Sequence, residues 1–412
     1  MNKLKNFFLS LNPIILFLFF LIPFGFALNF SENYDIAFIR ILIPIAFSLW
    51  LIKGLLSKKL LIDFRLRSVF LMLILLLVVF SLNWSPNEIK SWRKILFLGS
   101  IFPLYWVMFQ FFKQKNNLNL FLKIISITAF FSALIGLIQF ITQFILGIDF
   151  VITLQSQIAP FFLGKNFSEI VLTYNSWLVN VEGFTLFRAI GVFPDPHLFS
   201  LFLNICLPIT GFLFLKTKKS FYLVNFLVLL LTSLLTFSRA GYLSLFIVLV
   251  FLWFTISKKK SLWNLLLLFI FLFFLIIPNP VNQRFYSTFN LEDGSINERI
   301  TLLKISAEIF KDNFWLGVGV GNLSEIIQPQ SETRTPIYAH NLFLDFASEI
   351  GFLGGLAVLL LILTPIFKYF QRPTPKNLLL ASIFLIILIH SMFETPFYSV
   401  RLLPLILTLL AI

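Results

Sequence analysis

Apolar residues run along nearly the whole chain in long stretches, broken by short polar connections. Runs of about 18 residues or more can each cross a hydrocarbon core of about 30 Å. Backbone amides in lipid must find partners within their own segment, so such runs fold as helices. The pattern predicts about twelve of them, over roughly residues 7–28, 36–56, 66–83, 92–112, 121–147, 195–215, 220–237, 240–257, 262–278, 345–367, 378–393 and 396–412. The expected fold class is all-α: a polytopic integral membrane protein, a single membrane domain over residues 1–412.

The connections alternate in charge. One set carries Lys3 and Lys5, Lys53 to Arg67, Lys113 to Lys123, Lys216 to Lys219, Lys258 to Lys260, and Lys368 to Lys376. Lysine and arginine accumulate in cytoplasmic loops, which puts both termini in the cytoplasm. The apolar stretch after MNKLKN is too long for a signal-peptide core and reads as a retained first helix. Two connections on the opposite face are long, about 148–190 and 279–344, and connections of that length usually carry function. They are expected to form a helical cap on the non-cytoplasmic face. No internal repeat or heptad array is visible.

Composition narrows the classes further. The chain is 59% hydrophobic and 12% charged, too few polar groups to cover a soluble domain of 412 residues. Its net charge of +14 lies in the loop clusters and forms no basic patch for nucleic acid. One cysteine, Cys206, lies inside an apolar run, which excludes a disulfide framework or a cysteine zinc site.

Charged groups at membrane depth are costly and therefore point to function. Arg239, in LLTFSRAGYLSLF, falls at the outer boundary if the chain turns near Thr236–Ala240; a snorkelling interfacial arginine is the plainer reading. Arg188, in FTLFRAIGVFPDPHLFS, either holds an anion or pairs with Asp195 or Glu182, and spacing leaves both open. His197 reads as a capping or packing group, and His390 as a hydrogen-bonded core histidine. Ser295–Leu323 reads as an amphipathic helix ending at Gly317, Gly319 and Gly321, glycines that let the backbone turn back toward the membrane. A dinucleotide loop is excluded there, since no strand precedes it.

Tyr338–Ile362 opens on His340-Asn341 and then becomes an unbroken apolar run. By i, i+4 spacing Asn341, Asp345, Ser348 and Glu349 share a stripe that suits a water-filled pocket, with His340 at its mouth. An imidazole there can accept a proton near neutral pH, or simply cap the helix. No D-x-D pair, H-E-x-x-H, nucleophile elbow or Walker loop is present, and the spacing of Glu32 and Asp35 does not suggest a metal site.

Three segments together resemble the O-antigen ligase and polymerase family of bacterial envelope glycosyltransferases. They are TFSRAGYLSL (236–245), ERITLLKISAEIFKDNFWLGVGVGNL (298–323) and AHNLFLDFASEIGFLGG (339–355), the last with a His-Asn, nine residues, Gly-x-x-Gly pattern. The resemblance spans roughly 185–405. It implies transfer of a glycan from a polyprenyl-diphosphate carrier to an acceptor hydroxyl at the periplasmic face of the bacterial inner membrane, with no metal or nucleotide cofactor. The acceptor in a ligase is a lipid A–core sugar; in a polymerase it is another carrier-linked repeat unit. A transporter of lipid-linked sugars is a further alternative, although it predicts related halves that this chain lacks. The resemblance further implies that His340 is the base, supported by Asn341. It likewise implies that Arg299, Arg188 and Arg239 meet the lipid diphosphate. Tyr338 is a departure, since many members carry a second histidine there.

Overall fold

The apolar runs fold as helices in chain order. The first, α1 (Leu11–Phe24), leads into a two-stranded hairpin, β1 (Ala27–Ser31) with β2 (Tyr34–Ala37). Then come α2 (Ile39–Leu56), α3 (Leu66–Phe80), α4 (Glu88–Ile101), α5 (Leu104–Phe111) and α6 (Asn117–Leu146). Shorter helices α7 (Ile148–Leu163) and α8 (Lys165–Thr173) precede a second hairpin, β3 (Leu178–Val181) with β4 (Phe184–Phe187). Next are α9 (Pro196–Thr217), α10 (Ser220–Leu234) and α11 (Arg239–Thr255), then α12 (Pro280–Tyr286), α13 (Gly294–Asp312) and α14 (Leu323–Ile327). Last are α15 (Leu342–Gln371), α16 (Pro375–His390) and α17 (Leu402–Leu410). This computed structural model describes residues 11–31, 34–173, 176–181, 183–255, 277, 279–286, 294–327 and 338–412.

Among the described residues, six helical segments are long and apolar enough to cross a membrane, and five shorter apolar helices accompany them. The run expected at 262–278 lies almost wholly outside the described residues. Large apolar side chains face outward along these helices, Leu76, Phe144, Phe254 and Phe370 among them. An apolar exterior of this extent is what a lipid solvent accepts and water does not. The two hairpins depart from the all-α expectation. Along β3 the burial alternates, Val179 and Val181 inward and Asn180 outward, and Gly183 (φ +83°) closes the turn to β4. This period-two signal is only four residues long and vanishes inside an otherwise apolar sequence.

Helix α9 is the enclosed central column, with α6, α10 and α16 packed around it. Its start is written in the sequence: Asp195 accepts from the His197 and Leu198 amides, and Pro196 occupies the first helical position. Asn341 caps α15 and Thr374 caps α16 in the same manner. Cations gather at the far end of α17, where Arg65, Arg67 and Lys376 donate to the main-chain oxygens of Ala411, Leu410 and Ile412. That placement complements the negative end of the helix dipole.

Helix α15 is broken, and the break fits the glycine turn after α13. Ile350 (φ −126°, ψ 20°) and Gly351 (φ 78°, ψ 179°) are non-helical, so the Ser348 and Glu349 carbonyls are released from the helix ladder. The amides of Val318 and Gly319 occupy them, each at 2.9 Å, and Phe352 N–H returns to Phe314 O at 2.8 Å. Trp84 Nε1 donates to Gly317 O, and Asn322 hydrogen-bonds Ser85 and Ser91, fastening the turn to the α3–α4 connection. Gly317, Gly319 and Gly321 thus return the chain to the helix bundle by docking on a helix break.

A second fastening is a fully buried arginine. Arg401 donates to the carbonyls of Pro23, Gly25, Phe162 and Val192 and lies over the Phe193 ring. Three chain segments meet on one guanidinium, whose planar fork reaches acceptors that an ammonium cannot. Arg401→Leu leaves these carbonyls unpaired in the interior and is expected to cost roughly 3–5 kcal/mol, read as a lowered melting temperature in detergent.

Candidate functional site

The start of α15 is clipped to the loop between α16 and α17. Leu342 N–H donates to Ser391 O at 2.9 Å, and Asn341 Nδ2 donates to Met392 O at 3.2 Å. The Asn341 side-chain oxygen accepts from the Phe343 and Leu344 amides. Asp345 accepts from the Ala339 amide and the Thr395 hydroxyl. His340 stands just before the helix with φ +56°, a left-handed conformation that side chains other than glycine rarely take. Held so, its ring faces Glu394 in the clipped loop.

Glu394 organises the cluster. Its Oε1 lies 3.2 Å from His340 Nδ1 and 3.3 Å from Arg299 Nη2, while its Oε2 accepts from the Tyr338 hydroxyl at 3.3 Å. Arg299 Nη2 also lies 3.4 Å from His197 Nε2, and His197 Nδ1 lies 3.1 Å from Ser238 Oγ. Burial would raise the Glu394 carboxyl, yet the His340 charge and hydrogen bond and the Arg299 charge outweigh it and hold it at about 2. An ionised carboxylate beside Nδ1 keeps a proton on that nitrogen, so that the neutral form of the ring offers Nε2 as the acceptor. The His340 side chain is 26% exposed, so the ring reaches the surface. Burial, then the Glu394 charge, pushes the Tyr338 hydroxyl well above its usual range, so it stays a neutral donor.

Three helices begin at this cluster: α9 at His197, α11 just after Ser238, and α15 just after Asn341. Each presents the positive end of its dipole. Asp195 and Asn341 already cap two of the starts, so the fields of these helices, not free amides, reach a neighbouring anion. Burial, reinforced by the Glu394 charge, lifts Asp195 to about 6.

Arg299, His340 and Asn341 are brought together by this arrangement. Arg188 is spent on backbone: its three donor nitrogens meet the carbonyls of Ser176, Thr236 and Phe237 at 2.8–3.1 Å. It therefore holds the α10–α11 turn, the one that carries Ser238 and Arg239. Burial, then the nearby Arg284, lowers its guanidinium to about 9. Arg239 opens α11 in a half-buried position next to Ser238. Glu182 and Arg334 lie outside the described residues.

Three members of the polar stripe on α15 are consumed inside the protein. Asp345, Ser348 and Glu349 are all buried. Ser348 donates to Ser306 O, and Glu349 pairs with Lys94 at 2.8 Å, whose ammonium sits 3.4 Å from the centre of the Tyr398 ring. His390 is fully buried, and its ring nitrogens make no well-aligned hydrogen bond among the described residues. Glu394 and Lys94 are the participants that sequence reasoning missed. Glu394 was discoverable as an acid in a short connection that the charge alternation places on the outer face. Among the described residues, no group of three or more His, Cys, Asp or Glu side chains is arranged to hold a metal ion.

Residues 224–359 match the family model described as O-antigen ligase. The matched region runs from within α10 to beyond the break in α15 and contains Arg239, Arg299, His340 and Asn341. Arg188, His197 and Glu394 lie outside it. No curated protein matches the chain.

Proposed function

We propose that this chain transfers a glycan from a polyprenyl-diphosphate carrier to an acceptor hydroxyl, in the manner of an O-antigen ligase. The transfer takes place where α9, α11 and α15 begin, a face we assign to the periplasmic side of the inner membrane because the lysine clusters lie at the opposite helix ends. One observation carries the reading: a single carboxylate oxygen, Glu394 Oε1, holds both the His340 imidazole and the Arg299 guanidinium.

The acceptor hydroxyl gives its proton to His340 Nε2 as its oxygen forms the new bond to the anomeric carbon. The bond from that carbon to the diphosphate oxygen breaks, and its electron pair leaves with the carrier. His340 then releases the proton to solvent. General-base help of this kind contributes typically 10²–10⁴-fold. Arg299 and the three helix starts stabilise the charge growing on the leaving diphosphate. Arg239 adds positive charge at the start of α11, and Arg188 acts by holding the turn that presents it. Direct displacement inverts the anomeric carbon. The acceptor class we favour is a lipid A–core sugar; loss of the gene in a strain making O-antigen would then leave complete chains on the carrier, whereas single repeats on the core would mark a polymerase.

Glu394→Gln retains the shape but loses the charge that fixes the His340 tautomer. Its kcat is expected to fall about 10- to 100-fold with KM little changed, and Glu394→Asp should recover part of the loss. Full activity in Glu394→Gln removes this carboxylate from the mechanism.

A further inference from the structure

At the lysine-rich ends of the helices, opposite the His340 cluster, the bundle contains a cavity of about 280 Å³ between α6, α9, α16 and α17. Its walls are apolar, with Leu122, Phe212, Leu379, Leu380, Ile383 and Leu409 supplying most of them. Its polar edge is formed by Lys216, in the last turn of α9, and Lys376, in the first turn of α16, together with Asn119. Lys216 donates to Asn119 Oδ1 at 2.8 Å and Lys376 to the main-chain oxygen of Ile412 at 3.2 Å. Among the described residues neither lysine pairs with an Asp or Glu side chain, and Arg65, Arg67 and Lys113 add like charge beside Lys376. The neighbouring acid, Asp63, is taken by Arg65 and Tyr105.

Ammonium groups from two helix ends, set in a surplus of basic residues over an apolar hollow, call for a ligand with an anionic head and a hydrocarbon tail. A free phosphate would satisfy the lysines and leave the hollow unfilled; a zwitterionic lipid would fill the hollow and bring no net charge. We infer that this cavity holds one anionic phospholipid of the cytoplasmic leaflet, its phosphate between Lys216 and Lys376 and part of an acyl chain against Leu379, Leu380 and Ile383. Basic pockets between helices on the cytoplasmic side recognise anionic headgroups in this manner. The ligand would join α9 to α16, the helices that carry His197 and lead into the Glu394 loop.

The test uses the full chain, purified in detergent and stripped of lipid, with phosphatidylglycerol or phosphatidylcholine added and bound lipid counted by native mass spectrometry. One phosphatidylglycerol should bind in preference to phosphatidylcholine, raise the melting temperature, and resist displacement by a large excess of inorganic phosphate. Lys216→Gln with Lys376→Gln should weaken phosphatidylglycerol binding roughly 30-fold, since each cation near a lipid headgroup contributes about 1 kcal/mol. Ile383→Trp, which fills the hollow and leaves both lysines in place, should weaken it as well. The two variants attack the site differently, so misfolding of one leaves the other decisive. Equal binding of the two lipids, unchanged binding in a folded variant, or displacement by phosphate would overturn the assignment.

Discussion

His340→Ala should lower glycan transfer by at least about a hundredfold while leaving expression and membrane insertion unchanged. The ring lies outside the α15 helix, its side chain is partly exposed, and its Nδ1 contact is with Glu394. Removing it therefore opens no cavity in the packed core. The stripped site keeps Arg299 and the helix starts, so donor binding should survive and the loss should appear in kcat. The φ of +56° at position 340 is a strained conformation for any side chain, so the alanine variant inherits the strain without the imidazole that it positions. A variant retaining full transfer would exclude His340 as the base.

Gly351→Ala should be among the most damaging substitutions in the fold. With φ +78° and ψ 179° the residue occupies a region that is essentially glycine-only, and a Cβ there would lie 2.0 Å from the Trp315 carbonyl oxygen. Neither partner can yield easily, because Phe314 and Trp315 belong to the turn whose next residues hold the Ser348 and Glu349 carbonyls. The expected loss is roughly 3–5 kcal/mol, seen as a large drop in melting temperature in detergent or as failure to accumulate in the membrane. Gly99→Ala is the control: a Cβ at that exposed helical position meets nothing within 4 Å, and stability should be kept or slightly improved. Equal behaviour of the two variants would mean that the α15 break does not bear on the fold.

The helices were legible because burying backbone in lipid demands long apolar runs, and α2, α3, α6, α9 and α15 sit where those runs sit. The break in α15 was not legible: Ile350-Gly351 reads as continuous helix, and only contact with Val318 and Gly319, some thirty residues earlier, makes the interruption favourable. The family resemblance was readable in three motifs, and residues 224–359, which match the O-antigen ligase model, contain all of them. Within the site, His340 and Arg299 follow from motif position; Glu394 stands out only as an acid in an outer connection, and no local pattern marks it as the group they share. Arg188 shows the converse limit. A guanidinium serves an anion or a set of carbonyls equally well, and only the placement of the α10–α11 turn decides that this one binds carbonyls. The stripe on α15 has unforeseen neighbours: Glu349 pairs with Lys94 and Ser348 donates to the Ser306 carbonyl.

In the proposed reaction an imidazole and a guanidinium on one carboxylate drive a single displacement at a carrier-linked sugar. The direct measurement places the purified chain in proteoliposomes with polyprenyl-diphosphate-linked glycan, an acceptor bearing free sugar hydroxyls, and a metal chelator, and determines the anomeric configuration of the product. We predict a product of inverted configuration, with one polyprenyl diphosphate released for each glycan joined. A product of retained configuration, or no product from folded protein with competent donor and acceptor, would contradict it.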